Sequence, residues 1–276
     1  MGSTRARLSA AGIEEYRLEA EILLQHALGI DAARMFAGLN DPVPAGVEGV
    51  LTMAVDRRAD REPLAYIIGN RGFYGREFVV TPDVLIPRPE TELLVELALE
   101  WSAGRSGLRI ADIGTGSGAL AVTLACEIAD AGIDAVDLSP DALVVARSNA
   151  LRAGVENRVR ILEGDLAGPV EGQLYQIVFA NLPYVRADTL AAAAEELRRE
   201  PVLALLGGED GLDVVRRLAP MLPSIMDAAG SIALLEVDPL TARGAIAAVA
   251  EALPRAAVRV ERDLAGLERC VVAELG

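Results

Sequence analysis

Lysine is absent from this 276-residue chain, whose 26 bases are all arginine. Set against 41 acids, they leave a formal net charge of −15. Nucleic-acid binding draws chiefly on cationic side chains facing phosphates, so the balance argues against direct DNA or RNA contact. It favours a basic protein surface instead, attracted over a Debye length of about 10 Å. Histidine occurs once, at His26. That removes histidine-based zinc clusters and any Ser-His-Asp triad built on another histidine. His26 itself falls in a helical pattern and reads as a packing or surface residue. The two cysteines, Cys126 and Cys270, sit in apolar segments and read as small buried hydrophobes rather than a disulfide or a nucleophile. No stretch reaches about 18 uncharged apolar residues, and the Arg-bearing start from Met1 to Leu8 has no signal-peptide apolar run behind it. A cytoplasmic protein with no membrane role is expected.

What is present is a folded composition. Hydrophobic residues make up 52% and charged residues 24%, with 26 Gly and 14 Pro dispersed rather than clustered, which excludes disorder and a collagenous repeat. The length suits one large domain or two small ones. Apolar positions from Ile13 to Leu28 recur at three and four ahead of Gly29, predicting an amphipathic helix. A second helix is expected over Val47 to Arg58. Phe73, Tyr74, Phe78, Val79 and Val80 around Gly75 predict a hairpin. Pro87-Arg88-Pro89-Glu90-Thr91-Glu92 then punctuates the chain, because proline fixes its own φ and extends the residue before it.

Beyond this point short β-branched runs alternate with Ala- and Leu-rich stretches: Leu108 to Ile113, Ile133 to Asp137, Val159 to Glu163, Gln176 to Ala180 and Ser231 to Val237. Such alternation predicts an α/β fold with a parallel sheet. Ala257 to Asp263 and Arg269 to Glu274 flank a turn at Gly266 and should pair antiparallel. Ala191 to Ala194 reads as a short helical run.

After the first of these strands comes Ala111-Asp112-Ile113-Gly114-Thr115-Gly116-Ser117-Gly118, then a helix-like Ala119 to Ile128. Glycines let the backbone turn sharply and approach a ligand, and the amides of a helix start face an anion. Asp137 ends the next strand about 20 residues on, where a carboxylate can accept from both hydroxyls of a ribose. A nucleoside cofactor is expected. The loop alone leaves its identity open, since Gly114, Gly116 and Ala119 also satisfy a relaxed dinucleotide fingerprint and so a nicotinamide-dependent oxidoreductase. Asp165 and Leu166 follow the third strand, where the carboxylate can take an adenine amine and the leucine can cover the ring; a plain turn aspartate is the other reading. Asn181-Leu182-Pro183-Tyr184 follows the strand Gln176 to Ala180, at the sheet end where ligands of open α/β folds collect. Asn181 offers an acceptor oxygen and two donors, Pro183 holds Leu182 extended, and Tyr184 supplies a flat face. The group suits a planar N–H₂, whose two protons need two acceptors.

These segments, with Glu62 to Gly69, Ala135 to Pro140, Glu200-Pro201, Gly207 to Leu212 and Asp263 to Gly266, occur in the order seen in the protein-(glutamine-N5) methyltransferases of peptide chain release factors, which the chain resembles over nearly its whole length. The resemblance implies a helical N-terminal substrate-docking domain (1–70), a β-hairpin linker (71–88) and a Rossmann-like, seven-stranded class I methyltransferase domain (89–276) whose last hairpin makes the sheet mixed. It implies S-adenosylmethionine as cofactor, held by Gly114, Thr115, Gly116, Ser117, Gly118, Asp137, Asp165, Leu166 and Asn181. Catalysis would fall to Asn181, Leu182, Pro183 and Tyr184, which also hold the substrate glutamine with Phe73, Arg88 and Glu90. No metal is implied; the partner would be a release factor with a basic surface and the enzyme a monomer. Leu182 stands where the family usually has a first proline, but the demand there falls on a backbone carbonyl, which leucine also has. Asn-Leu-Pro-Tyr also resembles the tetrapeptide of rRNA dimethyladenosine transferases, so adenine-N6 methylation of RNA or DNA is the competing activity.

Overall fold

Residues 2–38 and 44–276 are described by the computed structural model. They divide into two units, 1–70 with 194–199, and 71–193 with 200–276. The first is helical: α1 (Gly2–Ala10), α2 (Tyr16–Leu28), α3 (Ala32–Ala37), α4 (Val47–Ala59) and α5 (Leu64–Ile68). Gly29 closes α2 in the left-handed region at φ +64°, with its N–H bonded back to the last turn. The helix starts three residues later than its apolar spacing predicts. Ile13 is buried, but as a loop residue after the left-handed Gly12, its N–H donating to the Leu8 carbonyl. Leu8, Ala20, Leu23, Val55 and Ile67 complete this small core.

The expected contiguous boundary misses residues 194–199. Arg58, almost fully buried, donates to both carboxylate oxygens of Glu19 (2.6 and 3.2 Å) and to Glu196 (3.0 Å), which Arg61 also reaches (3.0 Å). A buried guanidinium needs such partners, and one of them lies 138 residues away in sequence, where no local pattern reveals it. The alanine run is likewise shorter as a helix than expected. The helix Ala187–Ala191 ends where the run begins.

In the second unit, β1 (Asn70–Phe73) and β2 (Arg76–Val79) form the hairpin, turning through Tyr74 and Gly75, both at positive φ. It is not a separate linker. Phe73 and Phe78 are fully buried, edge to face at 6.0 Å, in the core of this unit, and the Asn149 side chain brackets Val79 by accepting from its N–H and donating to its carbonyl. The main sheet comprises β3 (Arg109–Ile113), β4 (Gly132–Asp137), β5 (Val159–Glu163), β6 (Ile177–Ala180), β7 (Ser231–Glu236), β8 (Ala257–Arg262) and β9 (Glu268–Leu275). Their order is β5-β4-β3-β6-β7-β9-β8. Strands β3 to β7 pair in parallel, while β9 runs antiparallel to both β7 and β8.

Period-two alternation splits the apolar side chains between the two faces. Ile110, Phe179 and Leu234 enter one cluster, while Ala111, Val178 and Leu235 enter the other. Each fully buried large side chain contributes roughly 1.5–3 kcal/mol. The order reverses between β3 and β6, whose last residues Ile113 and Ala180 lie side by side. Gly114 and Asn181 therefore emerge together at the switch point, where open α/β sheets bind ligands.

Candidate active site

A cavity of about 700 Å³ opens at that switch point, within the size range of small-molecule sites. Its lining includes Gly114, Thr115, Gly116 and Ser117 from the β3 loop, Asp137 from β4, Asp165 and Leu166 after β5, and Asn181, Leu182 and Pro183 after β6, with Phe73 and Arg88 from the hairpin side. Gly118, Tyr184 and Glu90 lie outside that lining. Gly118 sits behind it at φ +80°, where a Cβ would come within 3.2 Å of the Ala146 Cβ. Glu90 is exposed.

The glycine loop is built for a ligand with little negative charge. Gly114 and Thr115 donate their N–H groups to the Val136 carbonyl (2.8 and 2.9 Å), Gly116 donates to Asp137 Oδ2 (2.8 Å), and Gly118 to the Thr115 carbonyl (2.8 Å). Three of those four amides are spent on the end of β4 and the fourth within the turn, so they are not offered to a phosphate. Beneath it Asp112, 1% exposed, accepts from the Thr115 hydroxyl (2.7 Å) and the Ala121 N–H (3.2 Å) through one oxygen, and its other oxygen has no hydrogen-bond partner. Burial pushes this carboxyl up to about 6; the Thr115 and Ala121 bonds oppose the rise and nearby Asp137 adds to it. A diphosphate would face the Asp137 carboxylate at the cavity wall with Asp112 buried behind it, whereas a ligand with a cationic centre is favoured. At Gly116, φ is +55° and a Cβ would meet nothing within 4 Å, so the backbone itself borders open space. Asp137 takes one N–H on each oxygen, from Gly116 and Ser139, which leaves acceptor capacity on both for a pair of hydroxyls. Asp165 is exposed and paired with Arg217.

The tetrapeptide is held from behind by a buried polar chain that sequence reading leaves unassigned. Asn181 Nδ2 donates to Thr91 Oγ1 (3.2 Å), Thr91 donates to Glu236 Oε2 (2.6 Å), and the Tyr184 hydroxyl donates to Glu236 Oε1 (3.0 Å). Glu236 ends β7 and is 2% exposed. Burial drives its pKa upward, opposed by the two hydroxyl donors and by Arg269. Burial beside Glu236 likewise raises Tyr184 far above an ordinary phenol, so its hydroxyl keeps its proton. Leu182 is buried, with its Cδ2 3.0 Å from where a Gly114 Cβ would sit, so the leucine packs directly under the cofactor-type loop. Behind the tetrapeptide, Val185 and Gly207 join backbone to backbone (2.8 Å). Arg88 is paired with Glu200 (2.5 Å), which also accepts from the Ile86 N–H. Glu236 carried one sequence signal, an acid closing an otherwise apolar strand; Thr91 lay inside the proline-rich motif.

Comparison with known proteins places this geometry. The PrmC N-terminal domain model matches residues 2–69, and a methyltransferase domain model matches residues 110–200. A release factor glutamine methyltransferase of Moorella thermoacetica is 40% identical, covering 99% of this chain and 96% of its own. The chain belongs to the release factor glutamine methyltransferase family. A second member, from Cereibacter sphaeroides, is 43% identical across 98% of this chain and 95% of its own. Among solved structures, a Pyrococcus furiosus methyltransferase superposes with a TM-score of 0.53 at 16% identity, covering 74% of this chain and 91% of that one, a likeness of fold alone. The second unit is accordingly a Rossmann-like methyltransferase domain and the chain an enzyme of methyl transfer to protein glutamine. Among the described residues no cluster of three or more His, Cys, Asp or Glu forms a metal site, and no helix is long and apolar enough to cross a membrane.

Proposed function

We propose that this chain methylates the side-chain amide nitrogen of the glutamine in the Gly-Gly-Gln loop of peptide chain release factors, with S-adenosylmethionine as donor. The observation that carries the reading is the orientation of Asn181 beside the glycine loop. Its Nδ2 is committed to Thr91, which leaves Oδ1 as the free acceptor at the cavity. Family membership supports the same substrate.

When bound, S-adenosylmethionine supplies an electrophilic methyl group on a sulfonium. The Gly116 backbone and Asp137 form the cradle that suits it, with Thr115, Ser117 and Leu166 along the wall. A carboxamide nitrogen is a poor nucleophile because its lone pair is delocalised, so the residues must supply alignment and electrostatics. Asn181 Oδ1 and the Leu182 carbonyl take the two N–H protons and favour positive charge developing on nitrogen. Pro183 and Tyr184 fix the direction of approach, to a separation of about 3–3.5 Å. Phe73 and Arg88 border the cavity and help exclude water. No dedicated base is required, since the methylated, positively charged nitrogen releases its proton to water.

The helical unit serves as the docking module. Phe36 (55% exposed) and Met53 (61%) stand in solvent on it with Leu18 and Val50, and are available for contact with a protein substrate. The net charge of −15 complements a basic release factor in the cytoplasm. The test is mass spectrometry of a release factor incubated with enzyme and S-adenosylmethionine. One added methyl on the loop glutamine, lost when that glutamine is replaced by alanine, supports the reading; an unmodified factor under single-turnover conditions rejects it.

A further inference from the structure

We infer that Glu236 and Thr91 are positioning residues for the methyl transfer, a relay that sets which end of the Asn181 carboxamide faces the substrate and fixes the ring of Tyr184 from the same carboxylate. The inference rests on the role proposed for Asn181. An asparagine side chain is symmetric in shape but not in hydrogen bonding, and rotation by 180° about its last bond exchanges an acceptor for a donor pair. Nothing in the tetrapeptide itself dictates which end points outward. The chain behind it does. Both groups touching Glu236 give it their protons, Tyr184 to Oε1 at 3.0 Å and Thr91 to Oε2 at 2.6 Å, the pattern of a carboxylate held as acceptor by two hydroxyl donors.

The threonine hydroxyl has a single proton, and once that proton is directed at Glu236 the oxygen can only accept. Its neighbour is the Asn181 side chain, which must present Nδ2, at 3.2 Å. Oδ1 is thereby left as the end free to take a substrate N–H. The relay sits in a dry setting, with Thr91 5% and Glu236 2% exposed, where misdirected polar groups are costly. Three separate elements converge on it: the turn Pro89–Thr91, the end of β7 and the segment after β6.

Three substitutions test the relay, each assayed for cofactor affinity by calorimetry, for melting temperature, and for single-turnover methylation of a release factor. Thr91→Val keeps the shape and removes the hydroxyl. Thr91→Ser restores it. Glu236→Gln places a donor where only acceptors serve. Turnover should fall at least about tenfold in Thr91→Val and Glu236→Gln, with S-adenosylmethionine affinity within about twofold of wild type, and Thr91→Ser should recover most of the loss. A merely structural role would instead move affinity and melting temperature together with turnover and would overturn the inference. So would wild-type turnover in Thr91→Val. If Asn181→Ala keeps wild-type turnover, the reading of the site fails and this inference with it; if Asn181→Ala is impaired while Thr91→Val and Glu236→Gln are not, the inference alone fails.

Discussion

Replacing Gly207 by alanine should disable the tetrapeptide without touching a side chain in the cavity. Gly207 does not occupy the left-handed region, so its backbone accepts a Cβ without conformational strain. The obstacle is external. A Cβ there would lie 2.7 Å from the Pro183 carbonyl oxygen, 2.8 Å from the Tyr184 Cα and 2.9 Å from the Gly211 carbonyl oxygen. All three atoms are backbone, so no side chain can swing aside. Restoring an ordinary contact distance of 3.4 Å requires a shift of about 0.7 Å in the Pro183–Tyr184 backbone or in the glycine segment facing it. Overpacking of this kind costs roughly 1–3 kcal/mol of stability. A displacement approaching 1 Å at a reacting centre costs on the order of 100-fold in rate. Single-turnover methylation of a release factor should therefore fall by roughly one to two orders of magnitude, while calorimetric S-adenosylmethionine affinity stays close to wild type because Gly207 lies outside the cavity lining. Turnover equal to wild type in a folded Gly207→Ala enzyme would refute the claim that backbone packing behind Tyr184 sets its position.

Asp112→Asn should alter the pH dependence of folding. With its folded value raised from 3.8 to about 6 by burial, Asp112 holds a proton that the unfolded chain releases. Its contribution is fully present below pH ~4 and is lost as pH rises through about 6, a change on the order of 3 kcal/mol. Urea melts should show the asparagine variant gaining on wild type over that window; parallel profiles would contradict it. Asp137→Ala should weaken S-adenosylmethionine roughly 10- to 100-fold, the worth of hydrogen bonds to a charged acceptor, with much smaller loss of turnover at saturating cofactor. An unchanged dissociation constant would remove Asp137 from the cradle.

Local pattern carried much of the fold. The five central strands were legible because they are short runs of four to six residues, rich in Ile, Val, Leu and Ala and separated by helical stretches, and the terminal hairpin because only a short turn divides β8 from β9. The meeting of the glycine loop and Asn181 was legible because both follow strands whose ends adjoin at the switch point. What escaped depends on distant partners. The 194–199 segment joins the helical unit through Glu196 and Arg58, and the hairpin enters the core through Phe73 and Phe78 rather than bridging two bodies. Thr91 and Glu236 meet across 145 residues, and their hydrogen bond is a consequence of the folded sheet, not of spacing. Asp112 was visible as a letter of the loop motif, but its buried, half-satisfied carboxyl was not.

The central claim is that the Asn181 carboxamide holds the substrate amide beside the donor's methyl group, and the split between binding and chemistry in Asn181→Ala measures it most directly. Calorimetry and single-turnover methylation on the same preparation should give S-adenosylmethionine affinity near wild type together with a rate reduced by two or more orders of magnitude, roughly the worth of one preorganised polar group at a reacting centre. A wild-type rate in that variant, with affinity preserved, would contradict the account.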